Sequence, residues 1–275
     1  MITTRILGRT KKHVSPVSLG TAELGYSYGM SPENFPTDDE SVNFLREAAA
    51  LGITYIDTAL YYKEAPRRIA LSGILKDEKI ILGIKCSNFF INGESPNNDE
   101  LKKKIRNEVE EALKILKIDA IPLFYMHGPA MQKIDGEPVI EIMTELKHEG
   151  KIIYTGIATR GTESPLSAIN SNFFDIVQIP YSILDQRMES ILREALTHDI
   201  GVVNRSALLR GALTTLFHRL PDKLAPLKIN AEKAQIIANE LNITLPELAI
   251  RFSLTHPAIA TAIIGTSKIE HLSMA

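Results

Sequence analysis

The sequence predicts an α/β protein folded as a closed (β/α)8 barrel, the TIM-barrel architecture, and three observations carry that expectation. Short apolar runs recur along the whole of the 275 residues, and they are continuous rather than alternating with polar residues, as strands buried on both faces are. Segments with helical spacing of apolar residues separate them, so β and α alternate eight times. No Gly-x-Gly-x-x-Gly follows any strand, which argues against the rival open, doubly wound sheet.

The elements follow in order. Leu7-Gly8-Arg9-Thr10-Lys11-Lys12 is expected to form a small β-hairpin that plugs the barrel floor. Barrel strands are expected over Val14–Leu19 and Ile53–Thr58, with a helix between them. Asp38-Asp39-Glu40-Ser41 caps that helix, and Val42, Leu45, Ala48 and Ala49 form its apolar stripe. The third strand is Ile80–Lys85. Asn98-Asp99-Glu100 then opens a long helix in which Leu101, Ile105, Val109, Ala112, Leu113 and Leu116 share a face. Strands are expected over Ile121–Met126, Ile152–Ala158, Phe174–Pro180, Gly201–Arg205 and Ile259–Gly265, with helices over Arg187–Thr197 and Ala231–Leu241. Thr266 through Ala275 is enough to begin an eighth helix but not to finish one. An incomplete or missing last helix is expected to leave apolar surface between the first and last strands. Either a partner subunit, such as a second copy in a homo-oligomer, covers that surface, or the chain has been shortened. All of 1–275 reads as one domain.

Composition narrows the function. The net charge is −2 and the sequence pI is near 6.4, with no basic stripe of the kind nucleic-acid binding requires. Lys102-Lys103-Lys104 lies in a Glu-rich helix and reads as a solvated face. Cys86 is the one cysteine, so no intrachain disulfide forms and a reducing compartment fits. The first ten residues are no signal peptide, and no apolar run approaches the ~20 residues of a membrane span. A cytoplasmic protein acting on a small molecule, with no nucleic-acid or membrane partner, is the expectation.

Three strands end in polar groups: Asp57, followed by Tyr62 in the next loop, then Lys85, then His127. In a closed barrel the C-terminal ends of the strands form one mouth, where functional side chains collect. Singly each residue has a bland role: Asp57 a cap, Tyr62 rim packing, Lys85 a pairing charge, His127 a turn histidine. Together they suit proton donation to a carbonyl oxygen on which charge grows as hydride arrives at carbon. A free phenol has a pKa of about 10; a neighbouring ammonium favours phenolate and lowers that value. Asp57 is expected to hold Lys85 charged, and His127 to give the oxygen a second hydrogen bond.

These residues resemble the aldo-keto reductases, barrel enzymes that use a nicotinamide cofactor without a Rossmann domain. The likeness runs through Leu7-Gly8-Arg9-Thr10, Val14-Ser15-Pro16-Val17-Ser18-Leu19-Gly20-Thr21, Asp57-Thr58-Ala59 with Tyr62, Lys85 and His127. It continues in Gly150-Lys151-Ile152, Tyr154-Thr155-Gly156-Ile157, Val177-Gln178-Ile179-Pro180-Tyr181 and Arg205-Ser206-Ala207-Leu208-Leu209-Arg210-Gly211. The resemblance implies an NAD(P)-dependent oxidoreductase with Tyr62 as general acid/base, assisted by Lys85, Asp57 and His127. It further implies that Gln178 and Thr159 hold the nicotinamide carboxamide and that Arg205 lies near the ring. Ser206 and Leu208 would line the pyrophosphate, and Gly211 would also contact the cofactor. Gly20, Thr21, Ala22 and Asp57 would flank the cofactor, and Gly265, Thr266, Ser267, Lys268 and His271 would wrap its adenosine phosphate end. NADP(H) is expected to be favoured over NAD(H), mainly through Lys268.

The chain departs from the family pattern at several positions. Lys63-Glu64-Ala65-Pro66 replaces a Gly and a Ser-Glu pair after the tyrosine, Ala158-Thr159 replaces Ser-Asn, and His271 stands where arginine is common. Gly20-Thr21-Ala22-Glu23-Leu24-Gly25 is similar to bacterial branches associated with sugar and surface-polysaccharide pathways. Tyr26, Tyr28, Tyr61 and Phe89 are expected to line an apolar substrate rim. A non-catalytic, cofactor-binding barrel that regulates a partner protein is the alternative. A barrel lyase or isomerase is a third reading, opposed by Gln178 and the Arg205-Ser206 run.

Overall fold

The computed structural model describes residues 3–27, 35–89, 96–128, 137–159 and 161–273. Eight parallel strands close into a barrel: β3 (Val17–Gly20), β4 (Tyr55–Ala59), β5 (Ile81–Lys85), β6 (Ile121–His127), β7 (Ile152–Ala158), β8 (Ile176–Pro180), β9 (Gly201–Arg205) and β10 (Ile259–Gly265). They neighbour one another in sequence order, and β10 closes the ring on β3 with Ala262 opposite Val17 and Gly265 opposite Gly20. Helices surround them: α1 (Asp38–Ala50), α2 (Ala65–Ser72), α3 (Asn98–Leu116), α4 (Glu137–His148), α5 (Glu163–Asn170), α6 (Glu189–Thr197), α7 (Ala225–Glu240), α8 (Leu245–Thr255) and α9 (Ile269–Ser273).

The expected hairpin is present, as β1 (Arg5–Ile6) paired antiparallel with β2 (His13–Val14). It takes Val14 from the first expected strand, because the Pro16 ring cannot donate to a ladder and separates β2 from β3. The hairpin does plug the floor. Leu7 is buried in one cluster with Tyr55, Ile81, Leu123, Ile176, Val203 and Ala260, the inward residues of the barrel's lower half. Arg5 fixes the hairpin from outside, donating to the carbonyls of Ile259 at 2.9 Å and Leu254 at 2.8 Å.

Above Leu7 the barrel is filled by two phenols. The hydroxyls of Tyr55 and Tyr125 lie 2.7 Å apart and both residues are fully buried. Two glycines make room for them. A Cβ on Gly83 would stand 2.3 Å from the Tyr55 hydroxyl, and one on Gly156 would stand 2.5 Å from the Tyr125 ring. Burial pushes both phenols well above their usual pKa, so this layer is neutral as well as packed.

Local chemistry sets the outer ring. Thr37 accepts from the Glu40 amide while Glu40 reaches back, a capping box that starts α1 one residue before the expected acidic run. Asn97 caps α3, its side-chain oxygen accepting from the Glu100 amide at 2.9 Å. The helix expected over Ala231–Leu241 begins earlier, at Ala225, where Pro226 suits a first turn that needs no N–H. The strand expectation passes over α8, although Thr244 caps it and Pro246 and Glu247 fill its first turn.

After β10 the described residues hold the short α9, which packs beside α1 and buries Leu272. The bare apolar strip expected between the first and last strands is not found among them. No large apolar side chain of β3, β10 or α9 is strongly exposed, whereas α7 shows Ile229, Ile236 and Ile237 to solvent. No helix among the described residues is long and apolar enough to cross a membrane.

Candidate active site

The barrel delivers its polar groups to one mouth, immediately above the tyrosine pair. Asp57 follows Tyr55 by two residues on β4, so the period of the strand turns both inward. Lys85 ends β5, and its ammonium donates to Asp57 Oδ1 at 2.5 Å. Gln178 reaches in from β8 and donates through Nε2 to Asp57 Oδ2 at 2.7 Å. All three are nearly closed to solvent, with Asp57 4% exposed, Lys85 3% and Gln178 2%. A buried charge pair of this kind persists only where its hydrogen bonds are completed. Here one carboxylate spends an oxygen on each partner.

Tyr62 lies in the turn Leu60–Tyr62 that follows β4. The Lys85 ammonium sits over its ring, 5.3 Å from the centroid, close enough for attraction to the π face. His127 ends β6, and the ring of Tyr61 stacks on it with centroids 5.4 Å apart and planes only 6° from parallel. Tyr61 also meets Tyr62 edge-on at 4.9 Å, and the Tyr26 ring lies 5.8 Å from that of Tyr62. The four groups read from sequence are therefore brought together. The Tyr61–His127 stack was not legible there, because Tyr61 carries no signal separating a rim residue from one that fixes an imidazole. Burial, then the neighbouring Tyr62, pushes the Tyr61 phenol up, with Lys85 working the other way; Tyr61 stays protonated at neutral pH.

The other site residues take several places. Gly20 and Thr21 border Asp57 directly, and the Thr21 hydroxyl donates to the Asp57 carbonyl at 2.9 Å. Ala22 is buried in the following turn. Thr159 follows β7, its hydroxyl buried without a partner among the described residues, and Arg205 donates to its carbonyl at 2.7 Å. Ser206, Leu209, Arg210 and Gly211 all have positive φ, a succession that turns amides toward a concavity. Ser206, Leu209 and Arg210 line a cavity of about 510 Å³ together with Gln186 and Arg187. The Leu208 side chain packs into the core instead, so only its backbone borders that turn.

At the end of β10 Gly265 is exposed; beyond it Lys268 is exposed and Thr266 is buried. The Thr266 hydroxyl lies 2.9 Å from His271 Nδ1 and accepts from the Lys268 amide at 3.1 Å. Glu23, which the sequence reading passed over, faces Ser267 and Lys268; burial raises its carboxyl and Ser267 partly offsets that. Phe89 packs against the apolar layer between barrel and helices. Tyr28 lies outside the described residues. The residues at the mouth fit a nicotinamide: the orphaned Thr159 hydroxyl and the Gln178 amide are buried polar groups suited to a carboxamide, and the positive-φ turn with Arg210 suits phosphate.

A parallel barrel whose mouth gathers a phenol, an ammonium, a carboxylate and an imidazole defines an acid–base barrel enzyme. The chain belongs to the aldo/keto reductase family, whose sequence model matches residues 16–274. It is 30% identical over 284 residues to the oxidoreductase YqkF of Bacillus subtilis, covering 98% of this chain and 88% of that protein. It is 28% identical to the NADH-specific methylglyoxal reductase of Escherichia coli, with 97% and 90% covered. Its fold matches the holo form of an aldo-keto reductase from Bacillus halodurans with a TM-score of 0.80 and 28% identity, covering 99% and 89% of the two chains. The family and these relatives support a carbonyl/alcohol oxidoreductase, in a family that uses nicotinamide cofactors.

Proposed function

We propose that this chain, acting as a single domain over residues 1–275, interconverts a small aldehyde, ketone or sugar carbonyl and its alcohol, with Tyr62 as general acid/base. The observation that carries the proposal is the buried Lys85–Asp57 pair lying against the face of Tyr62. Asp57 pairs with the buried Lys85 ammonium and fixes its position. That ammonium favours the phenolate form of Tyr62 and so makes its proton easier to give. His127, its ring held by Tyr61, supplies a second hydrogen bond to the substrate oxygen. A bound nicotinamide supplies the hydride. Thr159 and Gln178 hold its carboxamide, Arg205 lies beside its ring, and the turn from Ser206 to Gly211 takes the pyrophosphate. Lys268 provides counter-charge for a 2′-phosphate, so NADP(H) is favoured over NAD(H). Tyr26 and Tyr61 form the apolar rim of the substrate pocket. The single cysteine, Cys86, is buried, and its usage suits the reducing cytoplasm that we assign.

Titration with NADPH and then NADH, followed by nicotinamide fluorescence, tests the reading. Binding of NADPH, with turnover on a panel of aldehydes and sugars, is expected; no binding of either dinucleotide would sink it. Binding without turnover would favour the regulatory barrel. Tyr62→Phe is expected to lower kcat by about 10²–10⁴-fold while leaving the Kd of NADPH nearly unchanged. An unaffected rate would move the acid to another residue.

A further inference from the structure

The turn that carries Tyr62 is wedged against the turn that follows β3. Gly25 there has φ −110° and ψ −34°, a conformation open to any residue, so its lack of a side chain answers to space. A Cβ on Gly25 would stand 1.7 Å from the Tyr62 carbonyl oxygen and 3.2 Å from the Ala65 Cβ. The peptide joining Leu24 to Gly25 is gripped in turn by Arg68 of α2, whose Nη1 donates to the Leu24 carbonyl at 2.6 Å. Arg68 is 4% exposed, donates through Nε to Asp38 Oδ1 at 2.9 Å, and lies 4.6 Å from the centre of the Phe35 ring. A buried guanidinium with its hydrogen bonds completed in this way is fixed in place. The backbone yields at the residue after the tyrosine. Lys63 takes φ 49° and ψ −106°, which a residue with a β-carbon adopts only where its surroundings compel it.

We propose that Arg68 is a positioning residue for the general acid: by holding the Leu24–Gly25 peptide against the Tyr62 carbonyl, it keeps the phenol beside the Lys85 ammonium. This rests on the role proposed above for Tyr62. β4 fixes the turn from one end, and α2, acting through Arg68 and Gly25, fixes it from the other. The strain at Lys63 is the mark of that second hold. Without the arginine the peptide at Gly25 is free to retreat, the Tyr62 main chain follows it, and Lys63 relaxes.

Two comparisons test the brace. In the first, Arg68→Met is expected to lower kcat about tenfold, because a small displacement of a reacting group slows the chemistry. KM for the carbonyl substrate and the Kd of NADPH are expected to stay within about twofold of the natural values. Asp38 keeps Arg67, which donates to both its oxygens, so the substitution strands no carboxylate. In a Tyr62→Phe background the same substitution is expected to remove no further activity, a result that general loss of packing would not give. The second comparison reads Tm alone. Lys63→Gly is expected to raise Tm in the natural protein, because glycine accepts that φ and ψ without strain. In Arg68→Met it is expected to lower Tm slightly, since a relaxed backbone leaves only the greater chain entropy of glycine when unfolded. Arg68→Lys, whose single ammonium cannot serve Asp38 and the Leu24 carbonyl as a fork does, is expected to fall between the two in both comparisons, and it replaces Arg68→Met if that variant does not fold. A kcat loss that persists in Tyr62→Phe, or a Lys63→Gly gain of the same size in both backgrounds, would overturn the brace and leave the oxidoreductase reading standing. Failure of the natural protein to bind either dinucleotide would overturn that reading instead, while the Tm comparison still decides whether Arg68 holds the turn.

Discussion

At the scale of the residue, the tyrosine pair under the site is the most constrained feature. Each hydroxyl has the other as its partner at 2.7 Å in a fully closed space. Tyr125→Phe leaves the Tyr55 hydroxyl buried and unpaired, and is expected to cost about 1–3 kcal/mol. Removing both hydroxyls in Tyr55→Phe/Tyr125→Phe takes away the unmet need together with the bond, so the double variant is expected to be more stable than Tyr125→Phe alone. Chemical denaturation of Tyr125→Phe, Tyr55→Phe and the double variant measures this. A double variant that loses as much as the sum of the singles would mean that the phenols are held by other groups.

At the scale of the element, the hairpin and the long helix lend themselves to measurement. Leu7 is the plug of the barrel floor, and Leu7→Ala is expected to cost about 2–5 kcal/mol; a loss under 1 kcal/mol would make the hairpin an ornament. Glu108 on α3 accepts from the Ser87 amide just past β5, at 2.7 Å. Burial, outweighing that bond, raises its carboxyl. A carboxyl whose folded pKa lies above its unfolded value contributes stability that is full below the unfolded value, near 4.3, and lost as pH climbs through the folded one. Glu108→Gln keeps an acceptor without the charge. It is therefore expected to raise Tm at pH 7 and to leave Tm unchanged near pH 4, and the reverse order would show that the ion is welcome there. The strands were legible in the sequence because runs such as Ile121–Met126 and Ile152–Ala158 are apolar on both faces. The hairpin boundary at Pro16 and the cap at Thr37 fall a residue or more from their expected places because single local bonds decide them. In the site, Asp57, Tyr62, Lys85 and His127 were legible by type and strand position. The Gln178–Asp57 bond and the Tyr61–His127 stack were not. Which residues face each other across a barrel depends on strand tilt and stagger, which no local spacing encodes.

At the scale of the whole molecule, the mouth exists only when the ring is closed. Its groups come from β4, β5, β6 and β8 and from the turns after β3, β7, β9 and β10. A dinucleotide bound across them therefore binds the folded chain and not the unfolded one. At a hundred times its Kd it is expected to add about 2.7 kcal/mol, seen as a rise in Tm; no rise with either NADPH or NADH would remove the dinucleotide from the mouth. Closure has a second consequence, for how such a sequence can diverge. Gly83 and Gly156 have no space for even one methyl group beside Tyr55 and Tyr125, so these four positions on four different strands cannot drift independently. A ring must shrink before either glycine can gain a side chain, and the reverse order passes through a barrel that cannot close. Among descendants of this chain, substitutions at 83 or 156 should thus be found only in company with smaller residues at 55 or 125, a dependence in historical order that the distances alone impose.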